Sequence, residues 1–71
     1  MISANNITIR LNQYVLYSQA CYFGKVVAIV SNPRFECVVL ENVNTHVIDM
    51  CNPTLIYVLS KKEACLKLLE L

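Results

Sequence analysis

Apolar and polar residues alternate through Ile7-Thr8-Ile9-Arg10-Leu11, which puts Ile7, Ile9 and Leu11 on one side of an extended chain and predicts a half-buried strand. After an Asn12-Gln13 break, Tyr14-Val15-Leu16-Tyr17 is apolar on both faces and built from β-formers. Ser18-Gln19-Ala20-Cys21 reads as a loop, and Tyr22-Phe23-Gly24 leads back into a strand. Two apolar runs, Lys25-Val26-Val27-Ala28-Ile29-Val30 and Glu36-Cys37-Val38-Val39-Leu40-Glu41, flank the turn signal Ser31-Asn32-Pro33, which is the pattern of a β-hairpin. Pro33 has no amide hydrogen to give a ladder. Gly24, the single glycine, heads the first run, where a bulge or a positive φ is expected. Asn42-Val43-Asn44-Thr45 marks a further turn and His46-Val47-Ile48-Asp49-Met50 a fifth short strand. Asn52-Pro53-Thr54 breaks the chain again before Leu55-Ile56-Tyr57-Val58-Leu59, a last strand or partly a 3₁₀ turn. Ser60 followed three residues later by Glu63 is a capping box, which predicts a helix over 61–71 with Cys65, Leu68 and Leu69 on one side. A helix this short is marginal alone, so it should dock onto the sheet or onto a partner.

Five or six short strands within residues 6–59, about ten residues apart, imply a small barrel or sandwich. The chain has 71 residues, enough for one domain, 1–71. A strongly bent all-β barrel of five strands and SH3-like type, with a short C-terminal helix, fits that length well.

Composition shifts attention to the surface. The chain is 56% hydrophobic and 15% charged, against about 25% charged in a typical soluble domain. That is more apolar residue than a core of this size holds, and several strands are apolar on both faces. A face left over by the core is expected to meet another protein or a second copy of the chain. Tyr14, Leu16, Tyr22 and Val39 are the contact residues expected there. A net charge of +1 and a pI near 7.6 argue against the strongly basic class of nucleic-acid binders. Apolar runs fall short of the ~20 residues of a membrane span, and the first residues lack a signal-peptide pattern, so a cytoplasmic protein with no membrane partner is expected.

Little chemistry accompanies this. Cys21, Cys37, Cys51 and Cys65 are widely spaced, and none forms the close pair typical of structural zinc sites. They read as reduced, small apolar fillers. Cys21, in a loop four residues before Lys25, is the one candidate for a reactive thiol. His46 stands alone, with no nucleophile pattern around it. No catalytic residue, metal, cofactor or small-molecule substrate is expected.

Val15 and Tyr17, then Gly24, Val26 and Ile29, then Val38, Leu40 and Glu41 followed by Asn42-Val43-Asn44, fall in the order of a KOW segment. Residues 13–44 thus resemble the KOW/SH3-like small β-barrel family, and residues 24–44 its central hairpin in ribosomal large-subunit members. The resemblance implies an SH3-like barrel and a route to RNA. Under that alternative Arg10, Lys25 and Arg34 contact phosphates, with Tyr14 and Tyr22 stacking on bases. The leading expectation is a non-enzymatic interaction module that binds a protein, or itself, through its apolar strand face and helix. Short chains of this kind are frequent among phage and mobile-element adaptors and inhibitors, a prior set by size alone.

Overall fold

The computed structural model describes residues 1–19 and 22–70. Its strands are β1 (Tyr14–Tyr17), β2 (Tyr22–Ser31), β3 (Glu36–Asn42), β4 (Ile48–Cys51) and β5 (Ile56–Val58). A 3₁₀ turn, Pro53–Leu55, precedes β5, and helix α1 (Lys61–Leu69) follows it. All neighbours are antiparallel, in the order β4-β3-β2-β1-β5. The protein is therefore all-β with one short helix, but the sheet is open: β4 and β5 do not pair, where a closed barrel was expected.

The register assigns the faces. Val15 lies opposite Gly24 and Val58, Val26 opposite Leu40, and Val38 opposite Cys51. These residues form one side of the sheet. Val15, Val26, Val38, Leu40, Cys51, Ile56 and Val58 build a single buried cluster there with Ile9. Cys51 and Ile56 come from strands at opposite ends of the sheet, so the sheet must curl around its own core.

A bulge in β2 explains how the strand bends. Val26 pairs with Leu40 and Ala28 with Val39, leaving Val27 as the extra residue. Bulges bend a strand and sharpen its twist. Val26 faces the core before the bulge and Ile29, opposite Val38, after it. The bulge expected at Gly24 thus falls three residues further on, and Gly24 has no positive φ. Gly24 answers to a different constraint. A Cβ there would sit 2.9 Å from the Tyr22 ring and 3.3 Å from the Glu41 carbonyl oxygen.

Residues 7–11 are not the strand that their alternation predicts. Asn6 and Asn12 take left-handed backbone, at φ 62° and 70°, and fold the segment into turns that asparagine tolerates. The Ile9 amide donates to the Met1 carbonyl and the Ser3 amide to the Ile7 carbonyl, leaving Ile2–Thr8 as an isolated bridge. Ile9 is buried, but Ile7 and Leu11 are exposed. The tight loop carries Asn5 to the outer edge of β5. There the Asn5 Nδ2 donates to the Val58 carbonyl at 2.9 Å, and its Oδ1 accepts from the Val58 amide at 3.1 Å. The Ala4 amide donates to the Ile56 carbonyl, and the Ile56 amide donates to Pro53.

The fifth strand starts two residues later than expected. The Asn42 side chain accepts from the amides of Asn44 and Thr45, and His46 sits at φ 62°, so His46 belongs to the loop. At α1 the capping box is present. Ser60 Oγ accepts from the Glu63 amide and the Glu63 carboxylate from the Ser60 amide. These bonds hold the Glu63 carboxyl below its ordinary range. The expected docking of the helix onto the sheet is slight, for Ala64 is the only buried residue of α1.

Candidate interaction surface

Period two and the register together place the other half of each strand on the convex face. Leu16 lies beside Phe23 and Tyr57, Tyr14 beside Lys25, Lys25 beside Glu41, and Glu41 beside Ile48. Further along, Val39 lies between Ala28 and Met50, and Val30 faces Cys37. The surface is therefore two apolar bands separated by one row that carries Lys25 and Glu41. Glu41 Oε2 accepts from His46 Nδ1 at 3.0 Å across the β3–β4 turn. Phe23 is buried on this side, with the Tyr14 ring stacked on it at 5.5 Å and 27°. Met50 is 72% exposed, Ile48 54% and Tyr57 47%.

Of the four residues expected to form a contact surface, Tyr14, Leu16 and Val39 thus share the convex face. Tyr22 does not. It pairs with Tyr17 and turns with it to the concave side. Sequence reasoning missed Ile48, Met50 and Tyr57. Their signal was the step of two between Ile48 and Met50 on the strand that follows Val39, which joins the same band once the hairpin register is known.

At the rim of the concave side the Tyr22 hydroxyl donates to Asp49 at 3.3 Å and lies 3.9 Å from Cys51 Sγ. The Tyr17 ring meets Tyr22 edge-on at 5.6 Å. Burial raises the pKa of Tyr22, helped by its bond to Cys51 and by the Cys51 and Asp49 charges. Burial also raises that of Cys51. Both groups stay protonated in the folded chain after their unfolded counterparts ionise. Their contribution is therefore fully present below the unfolded pKa values and declines as pH rises past them, from about 8.5 for the thiol and about 10 for the phenol. The urea midpoint should fall between pH 8 and pH 10.5, and fall less in a Tyr22→Phe, Cys51→Ala double variant. An equal fall in both proteins would remove this cluster as the cause. A buried thiol held protonated in this way is a poor nucleophile.

The cations expected to form a nucleic-acid surface are dispersed. Lys25 lies mid-sheet between Tyr14 and Glu41. Arg34 is in the turn beyond Ser31, roughly 20 Å along the strand from Lys25 at 3.3 Å per residue. Arg10 lines a shallow groove with Leu11, Tyr14, Leu59, Lys61 and Ala64, between the chain leading into β1 and the start of α1. The two tyrosines proposed to stack on bases are on opposite faces.

No known protein family, curated protein or solved structure matches this chain. Among the described residues no three His, Cys, Asp or Glu side chains gather as a metal site, and no helix is long and apolar enough to cross a membrane. Cys37 and Cys51 are buried fillers as expected, whereas Cys65 is exposed. Cys21, the candidate reactive thiol, lies outside the described residues.

Proposed function

We propose that this protein is a non-enzymatic interaction module that engages a protein through the convex face of its sheet, with α1 as an adjoining contact. One observation carries the reading: the main buried cluster lies on the concave side, and among the described residues the convex side keeps a band of exposed and half-buried apolar side chains beyond the buried Phe23 and Cys37. Met50, Ile48 and Tyr57 are exposed there beside half-buried Leu16, Ala28 and Val39, and Leu66 and Leu69 of α1 are exposed as well. Exposed apolar surface of this kind marks contact sites in soluble proteins. The strand order β4-β3-β2-β1-β5, the bulge in β2 and the 3₁₀ turn before β5 also support an SH3-like barrel, the architecture implied by the KOW resemblance.

Affinity capture from cell extract at low and high salt tests the function. Proteins retained by the wild type at 1 M salt and lost by Val39→Glu and Leu16→Glu, both with unchanged circular dichroism, are the expected result. Recovery of nucleic acid at low salt only, unaffected by Val39→Glu, would overturn the reading, because phosphate contacts weaken steeply with salt.

A further inference from the structure

The two edges of the open sheet are treated differently by the chain. In an antiparallel ladder, residues alternate between those that bond their strand neighbour and those whose N–H and C=O point away. On β5 the residues pointing away are Ile56 and Val58, because Leu59 donates to Tyr14 and the pairing alternates from there. All four of those groups are used. Asn5 takes both from Val58, Ala4 takes the Ile56 carbonyl, and Pro53 takes the Ile56 amide.

On β4 the phase is set by the Asn42 amide, which donates to Val47 at 2.9 Å. Asp49 and Cys51 then bond Leu40 and Val38 of β3, and Ile48 and Met50 direct their N–H and C=O outward. Among the described residues none of these four groups has a partner. Natural edges are blunted by shortness, charges, Pro, bulges or a covering segment; β4 is short and carries the inward-facing Asp49, but among the described residues it has no Lys, Pro, bulge or covering segment. The side chains on the edge's convex side, Ile48 and Met50, are among the most exposed apolar groups in the molecule.

We infer that β4 pairs antiparallel with β4 of a second copy, on a two-fold axis through Met50. This deepens the interaction-module reading by naming a second copy as one occupant, and it rests on that reading. The choice of copy and register follows from the strand itself. Centred on Met50, the pair exchanges two Met50–Met50 bonds and joins each Asn52 amide to the facing Ile48 carbonyl. Met50 and Val39 of both copies then form one apolar row. Asp49 faces Cys51. Centred on Asp49, the pair would set two carboxylates directly opposite each other, a destabilising arrangement. Centred on Ile48, it would run into the left-handed His46. A two-fold contact uses the same patch on both copies and closes. Because Asn5 occupies the other edge, assembly stops at two.

Sedimentation equilibrium from 5 μM to 500 μM, with amide exchange read by NMR, tests this. The expected result is a monomer–dimer equilibrium in which the Met50 amide gains at least tenfold protection as the dimer fills. Met50→Pro should abolish the dimer yet fold, since that amide points away from β3 and edge positions tolerate proline. Should Met50→Pro prove unfolded, Met50→Lys supplies the same reading from the side chain. A monomer at every concentration overturns the inference, as does a dimer that survives both variants. The module reading stands or falls separately, on capture with Val39→Glu at concentrations where the chain is monomeric.

Discussion

Leu40→Ala should cost about 3 kcal/mol of folding stability, within the range for leucine truncation in a packed core. Leu40 is fully buried, lies between Val26 and Asp49 in the sheet, and belongs to the one cluster on which all five strands close. The site can relax little, because its cluster is built of residues at or near zero exposure on all five strands. At about 0.05–0.15 kcal/mol per residue a chain of this length holds only about 4–10 kcal/mol in all. The loss should lower the melting temperature by about 12–24 °C, at 4–8 °C per kcal/mol for a domain of this size. Val39, the next residue, faces the other way, and Val39→Ala should cost under about 1 kcal/mol. Urea unfolding of the two variants checks the assignment of faces. Equal costs at residues 39 and 40 would mean that the concave side is not the core.

The second large effect is expected at Gly24. Gly24→Val should destabilise by about 2 kcal/mol, the scale of overpacking in a tight site, and Gly24→Ala by somewhat less. The cause is not backbone freedom, since the residue is ordinary extended strand. It is the Tyr22 ring, which lies over the glycine and is held there by Asp49, Cys51 and Tyr17. A methyl group at position 24 forces that ring off its partners. The two substitutions should therefore be strongly non-additive: in a Tyr22→Ser background most of the cost of Gly24→Ala should vanish. Additive costs would move the blame to the Glu41 carbonyl on the neighbouring strand.

Much of the fold was legible because it depends on local signals. The strands at 14–17, 25–30 and 36–41 are dense in β-formers and bounded by turn residues, and the capping box fixed the start of α1. What failed depended on side-chain contacts and turn conformations that an apolar–polar pattern does not display. The alternation of residues 7–11 is that of a strand, yet Asn6 and Asn12 bend it away and Asn5 finds its two bonds on Val58. His46 reads as a strand residue until the Asn42 side chain closes the turn beneath it. Gly24 announced a special position correctly and its reason wrongly, since nothing in the chain order reveals that Tyr22 covers it. For the interaction surface, Leu16 and Val39 were found from two-faced apolar strands. Tyr22 falls on the other face because its side depends on the β1–β2 register, which the local sequence pattern does not carry.

Val27 is the extra residue of the β2 bulge and is 39% exposed, so its side chain carries little of the stability. Its importance lies in being counted. Without it Val26 and Ala28 would still find Leu40 and Val39, every cross-strand neighbour would be kept, and β2 would run straight. The curvature that brings Cys51 and Ile56 into one core would go with it. Position 27 is thus free in identity and fixed in number. Lineages of this chain should vary there in side chain and hardly ever in length.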